Sequence, residues 1–125
     1  MQARDLYRLL SSAEGGASLR EAIAPAIPAY QKELAESGRA ASIVMECDAD
    51  LLPIAAMHLM VLCGAFLAEK INAVELGYIA TAIDLVPDFH CVSKMTEEVT
   101  HLLSTKEPSP EAVTSVLRIL REHAA

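Results

Sequence analysis

"LLPIAAMHLMVLCGAFLA", from Leu51 to Ala68, is the longest stretch of the chain without a formal charge. Its 18 residues reach the lower limit for a helix that spans a membrane. Against spanning, His58 lies near its middle, Pro53 lies in its first turn, and no Lys/Arg cluster flanks it. A helix that is apolar on all sides is also what the centre of a helical bundle requires. The stretch therefore predicts a buried central helix, capped at its start by Asp50.

Apolar residues elsewhere also recur at helical spacing, and no alternating run predicts a strand. A short helix is expected around Leu6 to Leu10, and a longer one from Leu19 to Leu34 that Pro25 and Pro28 kink or split. Residues 40–47 fit either a helical turn or a loop. The expected helix caps are Ser18 with Glu21, Asn72 with Glu75, Ser93 or Thr96, and Ser109. The prediction is an all-α fold: one compact bundle of about five to seven helices over residues 1–125.

Length and composition favour one ordered, intracellular domain. The chain has 125 residues, of which 53% are hydrophobic, and this excludes disorder. Its cysteines, Cys47, Cys63 and Cys91, are odd in number and form no C-x-x-C pair, which argues against a disulfide framework. No apolar segment follows the first charged residues, so no signal peptide is expected. These features predict a cytoplasmic protein.

The net charge of −7 is concentrated in one part of the chain. Residues 46–98 hold nine acidic residues against Lys70 and Lys94, which sums to −7, while the remainder cancels. This distribution disfavours binding to nucleic acid or to an anionic membrane and favours a basic partner. The simpler alternative is that the negative charge only keeps a small domain soluble.

The sequence predicts no catalytic centre, no metal and no cofactor. The four histidines do not have the spacing of a zinc site, and no glycine-rich phosphate loop occurs. His58 is expected to be a neutral core residue that donates to a backbone carbonyl. Gly64 and Gly77, inside helical patterns, indicate close helix packing. Two alternatives stay open: a metal site of His90, Cys91 and His101, and a small hydrolase or metal enzyme using Asp84, Asp88 and His90.

"TAIDLVPDFH", from Thr81 to His90, places two aspartates among apolar residues. Because a residue before proline is biased out of the α region, Val86 is expected to end the helix begun at Ala73. Asp84 is expected to face solvent, and Asp88 to cap the following segment. Together with nearby acidic residues they predict one partner-binding surface, although a solvated corner is the simpler alternative. The candidate residues are Asp84, Asp88, Glu97 and Glu98, with Asp48 and Asp50 added.

The segment from Leu76 to Leu120, with "ELGYIATAIDLVPDF", "EEVTHLLS" and "PSPEAVTSVLRIL", resembles small acidic helical immunity proteins that bacteria encode beside polymorphic toxins. The resemblance implies a cytoplasmic inhibitor that binds its cognate toxin, often a basic nuclease, and has no catalytic activity. A shorter resemblance is to the "PIDLIPDF" signature of membrane-associated YkvA-type domains. Here Ala82 replaces the proline and Val86 the isoleucine, and the polar "HCVSKMTEE" replaces the apolar continuation. A membrane-associated structural domain is therefore the alternative function.

Overall fold

The computed structural model describes residues 2–12, 15–37, 51–105 and 108–124. The fold is all-α, as predicted, with one short parallel β-sheet among the described residues. Its elements, in chain order, are α1 (Ala3–Leu10), α2 (Leu19–Ile23), α3 (Ile27–Ser37), β1 (Leu52–Ile54), α4 (Ala56–Leu67), α5 (Ala73–Leu85), β2 (Phe89–Cys91), α6 (Lys94–Thr105) and α7 (Pro110–Ala124).

The proline-containing segment divides as its sequence predicts. A 3₁₀ turn over Ala24–Ala26, with Pro25 inside it, separates α2 from α3. The expected cap at Ser18 is wrong, because Ser18 belongs to a 3₁₀ turn (Gly15–Ser18), has helical backbone angles and makes no side-chain cap hydrogen bond. Glu21 therefore has no capping role at this helix start.

The apolar stretch divides into a strand and a helix, so α4 begins later than predicted. Pro53, expected in the first helical turn, lies in the middle of β1, and Ala55 takes the N-cap position of α4. A strand suits this segment because the residue before a proline favours extended backbone, and an edge strand tolerates the missing donor. The cap predicted at Asp50 lies outside the described residues, as do residues 40–47.

Strands β1 and β2 have no signal in the sequence, although the all-α fold class is confirmed. Their three-residue register pairs Leu52 with Phe89, Pro53 with His90 and Ile54 with Cys91 in parallel. Strands this short are too brief for an alternating pattern to show in the sequence. The pair nevertheless fixes the start of α4 beside the corner that follows α5.

Helices α4 and α5 lie at the centre of the bundle. Helix α4 packs chiefly on α7 and buries Leu59, Leu62 and Cys63. Nine of the 13 residues of α5 are buried between α3, α4 and α6. One side of α4 stays open, where Met57 is 50% exposed. Further core residues come from α1, α2, α6 and α7, among them Leu6, Leu10, Leu19, Ile23, Val99, Leu103, Val113, Val116, Leu117 and Leu120.

Three of the predicted caps are confirmed. The Asn72 side chain accepts from the Glu75 amide at 2.9 Å, and Glu75 Oε1 accepts from the Asn72 amide at 2.8 Å. Arg20 of α2 donates to both oxygens of this buried carboxylate, at 3.0 and 3.2 Å, which joins α2 to the start of α5. Ser93 accepts from the Thr96 amide, and Ser109 from the Ala112 amide.

No helix in the described ranges has both the length and the apolar character needed to cross a membrane. The apolar helix α4 has only 12 residues, about 18 Å at the usual rise of 1.5 Å per residue. A hydrocarbon core is about 30 Å thick.

Candidate functional site

The chain turns sharply where α5 ends, and this turn builds the candidate site. Val86 leaves the helical region with ψ of 122° and still donates its amide to Ala82. The Asp88 carbonyl oxygen accepts from the Leu52 amide at 2.9 Å, which starts the β1–β2 pairing. Pro87 thus ends α5 as predicted and directs the chain into β2 within three residues.

The end of α5, strand β2 and the first half of α6 enclose a groove of about 420 Å³, called here the acidic groove. The apolar side chains Ile83 and Phe89 are buried, at 3% and 7% exposure, and form its floor. Polar and ionisable residues complete its lining: Asp84, His90, Cys91, Glu97, Glu98 and His101.

Carboxylates dominate the charge of the acidic groove. Asp84, Glu97 and Glu98 are all exposed, and no lysine or arginine is among the lining residues of the groove. Asp84 Oδ2 lies 3.6 Å from His101 Nδ1, a contact that joins α5 to α6. With the histidines neutral, the lining therefore carries three negative charges and attracts cationic groups.

The six predicted partner-binding residues differ in where they lie in the structure. Asp84 faces solvent as predicted, and Glu97 and Glu98 join it at the groove. Asp88 is 5% exposed, so the expectation that its carboxylate belongs to an exposed patch is wrong. The helical spacing that suggested one patch ends at Val86, and the turn at Pro87 directs Asp88 inward. Asp48 and Asp50 lie outside the described residues.

Cys91 lies in the groove but lacks the surroundings of a reactive thiol. Burial, together with the nearby carboxylates of Glu97 and Asp84, raises its pKa, although hydrogen bonds from Thr100 and Thr96 act in the opposite direction. Its Sγ lies 3.8 Å from Thr100 Oγ1. A thiol is nucleophilic as its thiolate, so this environment favours the unreactive form.

The metal-site alternative gains no support from the geometry. Within the described part of the chain, no group of three or more His, Cys, Asp or Glu side chains is arranged to hold a metal ion. His90, Cys91 and His101 do line the same groove, as the alternative required. Asp88 is buried and is not among the lining residues, so the groove does not bring together the three residues of the hydrolase alternative.

His58 is a core residue, as predicted, but its hydrogen bond has the opposite direction. The side chain is 5% exposed, and Nδ1 accepts from the Ala55 amide at 3.0 Å instead of donating to a carbonyl. Donation to a carbonyl is the commonest role of a core histidine. His58, however, lies three residues after Ala55, the N-cap of α4, and this position brings its ring to the Ala55 amide, which has no partner within the helix.

A second groove, of about 370 Å³, is mainly apolar and was not anticipated from the sequence. It borders the open side of α4 and ends at Lys70. The reading of Gly64 as a close-packing position is wrong, because a Cβ there would meet no atom within 4 Å. Gly77 does pack closely, since its Cβ would lie 3.3 Å from Tyr30 Oη. The residues that line this second groove are Gly16, Met57, Met60, Val61, Gly64, Ala65 and Lys70.

Sequence reasoning also missed the floor of the acidic groove and the pairing of His101 with Asp84. The signal available for the pairing was the helical spacing of Glu97, Glu98 and His101, which places them along adjoining faces of α6.

Compared with known proteins, the chain matches no family model, no curated protein sequence and no solved structure.

Proposed function

We propose that the chain is an immunity-type protein that acts in the cytoplasm, binding and neutralising a cognate basic bacterial toxin through the acidic groove. The observation that carries the proposal is the groove itself, where three exposed carboxylates from α5 and α6 surround a concave surface. The groove arises from the same segment that resembles immunity proteins.

In this proposal the chain inhibits the toxin by binding to a complementary surface and catalyses no reaction itself. Opposite charges accelerate encounter between two proteins, while the closely packed contacts that form afterwards determine how long the complex lasts. The apolar floor at Ile83 and Phe89 gives an entering side chain surface to cover. Asp84, Glu97 and Glu98 supply the attraction. The toxin is then inhibited because its own cationic active-site surface is occupied.

The first experiment is a protection assay. If the gene directly upstream encodes a secreted protein with a toxin-like C-terminal domain, that domain is the toxin candidate and is co-expressed with this chain. Protection is expected from the wild type and is expected to be lost in Asp84→Lys/Glu97→Lys. A matched control, Glu111→Lys/Glu122→Lys, makes the same charge change on exposed positions of α7 and should still protect.

The association rate gives a second test. Reversing Asp84 and Glu97 should slow binding on the order of tenfold at low salt, because electrostatic steering depends on the local potential. The difference should shrink at high salt, where the charges are screened. The proposal would be removed if no neighbouring gene encodes a toxin-like protein and the chain fails to protect cells in the co-expression assay. Stable recovery with membranes after cell fractionation would favour the YkvA-type alternative instead.

A further inference from the structure

His58 occupies the first turn of α4 and makes the N-terminal cap of that helix. Its Nδ1 accepts from the Ala55 amide at 3.0 Å, and the Ala55 carbonyl accepts from the His58 amide at 3.1 Å. In the usual capping box this side-chain acceptor is Glu or Gln. Here an imidazole supplies it, so the cap requires an unprotonated Nδ1.

The same ring joins α1 to this junction. Its centroid lies 4.8 Å from that of Tyr7, with the two rings tilted by 33°. Tyr7 is half-buried on α1, whose Leu6 and Leu10 are fully buried in the core. A single imidazole therefore contacts α1, the residue before α4, and the first turn of α4.

Protonation opposes the hydrogen bond between His58 and Ala55. An imidazolium carries hydrogen on both nitrogens, so Nδ1 can no longer accept from Ala55. The added charge would lie inside the protein and at the positive end of the dipole of α4. Burial lowers the pKa of His58 below its ordinary value of 6.5 and outweighs the backbone of Ala55, which acts in the opposite direction. Acid conditions therefore favour conformations in which the His58 imidazole is exposed to water.

Burial and the backbone of Ala55 shift the pKa of His58, with no contribution from a charged side chain among the described residues. From α1, Tyr7 is the titratable group that faces the ring, while the charged residues of α1, α6 and α7 are exposed. On α5, the buried Glu75 is held by Arg20 and Asn72. The exposed ionisable residues on those three helices are Arg4, Asp5, Arg8, Lys94, Glu97, Glu98, His101, Glu111, Arg118, Arg121, Glu122 and His123.

We propose that His58 is an acid-sensitive latch, whose protonation releases α1 and the junction between β1 and α4. Ala55 directly follows β1, and the Ile54 carbonyl accepts from the Val92 amide beyond β2. Since β2 forms part of the acidic groove, the opening extends to the groove as well as to α1. The latch does not depend on the proposed toxin-binding function.

The direction of the pH effect follows from the lowered pKa. The closed state is fully favoured above about pH 6.5 and loses that stability as the pH falls through the lower folded-state value. Between these two values, the equilibrium constant for opening should rise about tenfold for each pH unit.

Hydrogen exchange of the intact chain tests the latch. Exchange is measured in peptides that cover α1 and Leu52–Leu59, at about pH 7.5 and about pH 5, with correction for intrinsic exchange. His58→Gln keeps a side-chain acceptor at the capping position but cannot be protonated. The matched control is His123→Gln, at an exposed position on α7.

Opening at acid pH is expected in the wild type and in His123→Gln, and it should be suppressed in His58→Gln. Equal acid opening in all three proteins would overturn the proposal. If His58→Gln fails to fold, ¹⁵N spectra of the wild-type imidazole decide the matter. A hydrogen on Nδ1 at neutral pH, or titration of His58 without faster exchange in α1, would overturn it equally.

Discussion

Asp84 and Asp88 stand four positions apart, yet their carboxylates have opposite surroundings. Asp84 exposes 41% of its side chain and contacts His101, itself 67% exposed. Surface pairs of this kind contribute about 0–1 kcal/mol to stability. Asp88 is 5% exposed, and removing a buried hydrogen-bonding group costs about 1–3 kcal/mol.

Alanine substitutions should therefore separate the two aspartates. Asp84→Ala is expected to change the free energy of unfolding by less than about 0.5 kcal/mol, as most exposed substitutions do. Asp88→Ala should lower it by about 1–3 kcal/mol, because the groups around the carboxylate stay buried. Urea unfolding at neutral pH measures both. Equal costs for the two variants would contradict the difference in burial between Asp84 and Asp88.

At the scale of the element, the two helical glycines differ in the space around them. Gly64 lies inside α4 with nothing within 4 Å of an added Cβ, whereas Gly77 of α5 faces Tyr30 Oη at 3.3 Å. Tyr30 is buried, packs edge-on against Tyr78 at 5.3 Å between ring centroids, and hydrogen-bonds with Thr81. The tyrosine hydroxyl has little room to give way.

Gly64→Ala is expected to stabilise the protein by about 0.5–1 kcal/mol, the difference in helix propensity between the two residues. In Gly77→Ala that gain should be cancelled or reversed, because the new methyl group crowds Tyr30. Guanidinium unfolding curves with unchanged slopes would measure both effects. A stabilisation of equal size at both positions would show that α3 and α5 are not in close contact at Gly77.

At the scale of the whole molecule, the core holds three weak acids in their neutral forms. Burial raises the pKa of the Cys63 thiol from its ordinary value of 9.0 to about 12, and it raises the pKa values of Tyr30 and Tyr78. In the unfolded chain these groups ionise at their ordinary values. The free energy of unfolding should thus begin to fall above about pH 9 and decline further as the pH approaches about 12.

The alkaline decline should be shallower in Cys63→Ala than in the wild type, since one of the ionising groups is gone. Chemical unfolding at intervals between about pH 7 and about pH 11 measures the slope. Cys91→Ala is the comparison thiol variant; burial raises the pKa of Cys91 as well, but this thiol is only half-buried, so its removal should flatten the decline less. A slope that Cys63→Ala leaves unchanged would show that this thiol is accessible to solvent in the folded state.

Much of the helical structure was predictable because its signals are local. The reciprocal hydrogen bonds of Asn72 and Glu75 join residues three positions apart, so the sequence alone indicates where α5 begins. Pro87 likewise predicts its end, through the restriction on Val86. The cap predicted at Ser18 failed although α2 does begin at Leu19, because a 3₁₀ turn that packs against α1 and α4 gives Ser18 helical backbone angles.

The site was predictable only in part. The exposed side of α5 near Asp84 and the acidic start of α6 follow from helical spacing, and both line the groove. Their convergence with β2 depends on the turn after Pro87 and on pairing with β1. That pairing joins Leu52 to Phe89, 37 positions later in the chain. No local pattern specifies a contact of such separation between three-residue strands.

By itself, the sequence determined that this protein is helical, that a helix begins at Ala73 and ends near Val86, and that negative charge gathers around the end of that helix. Those properties depend on spacing and capping within a few residues. Only the tertiary structure decided that Asp88 is buried, that His58 accepts a hydrogen bond at the start of α4, and that Asp84 meets His101. Each of these results depends on which elements pack together, because burial and pairing are set by neighbours far away in the chain.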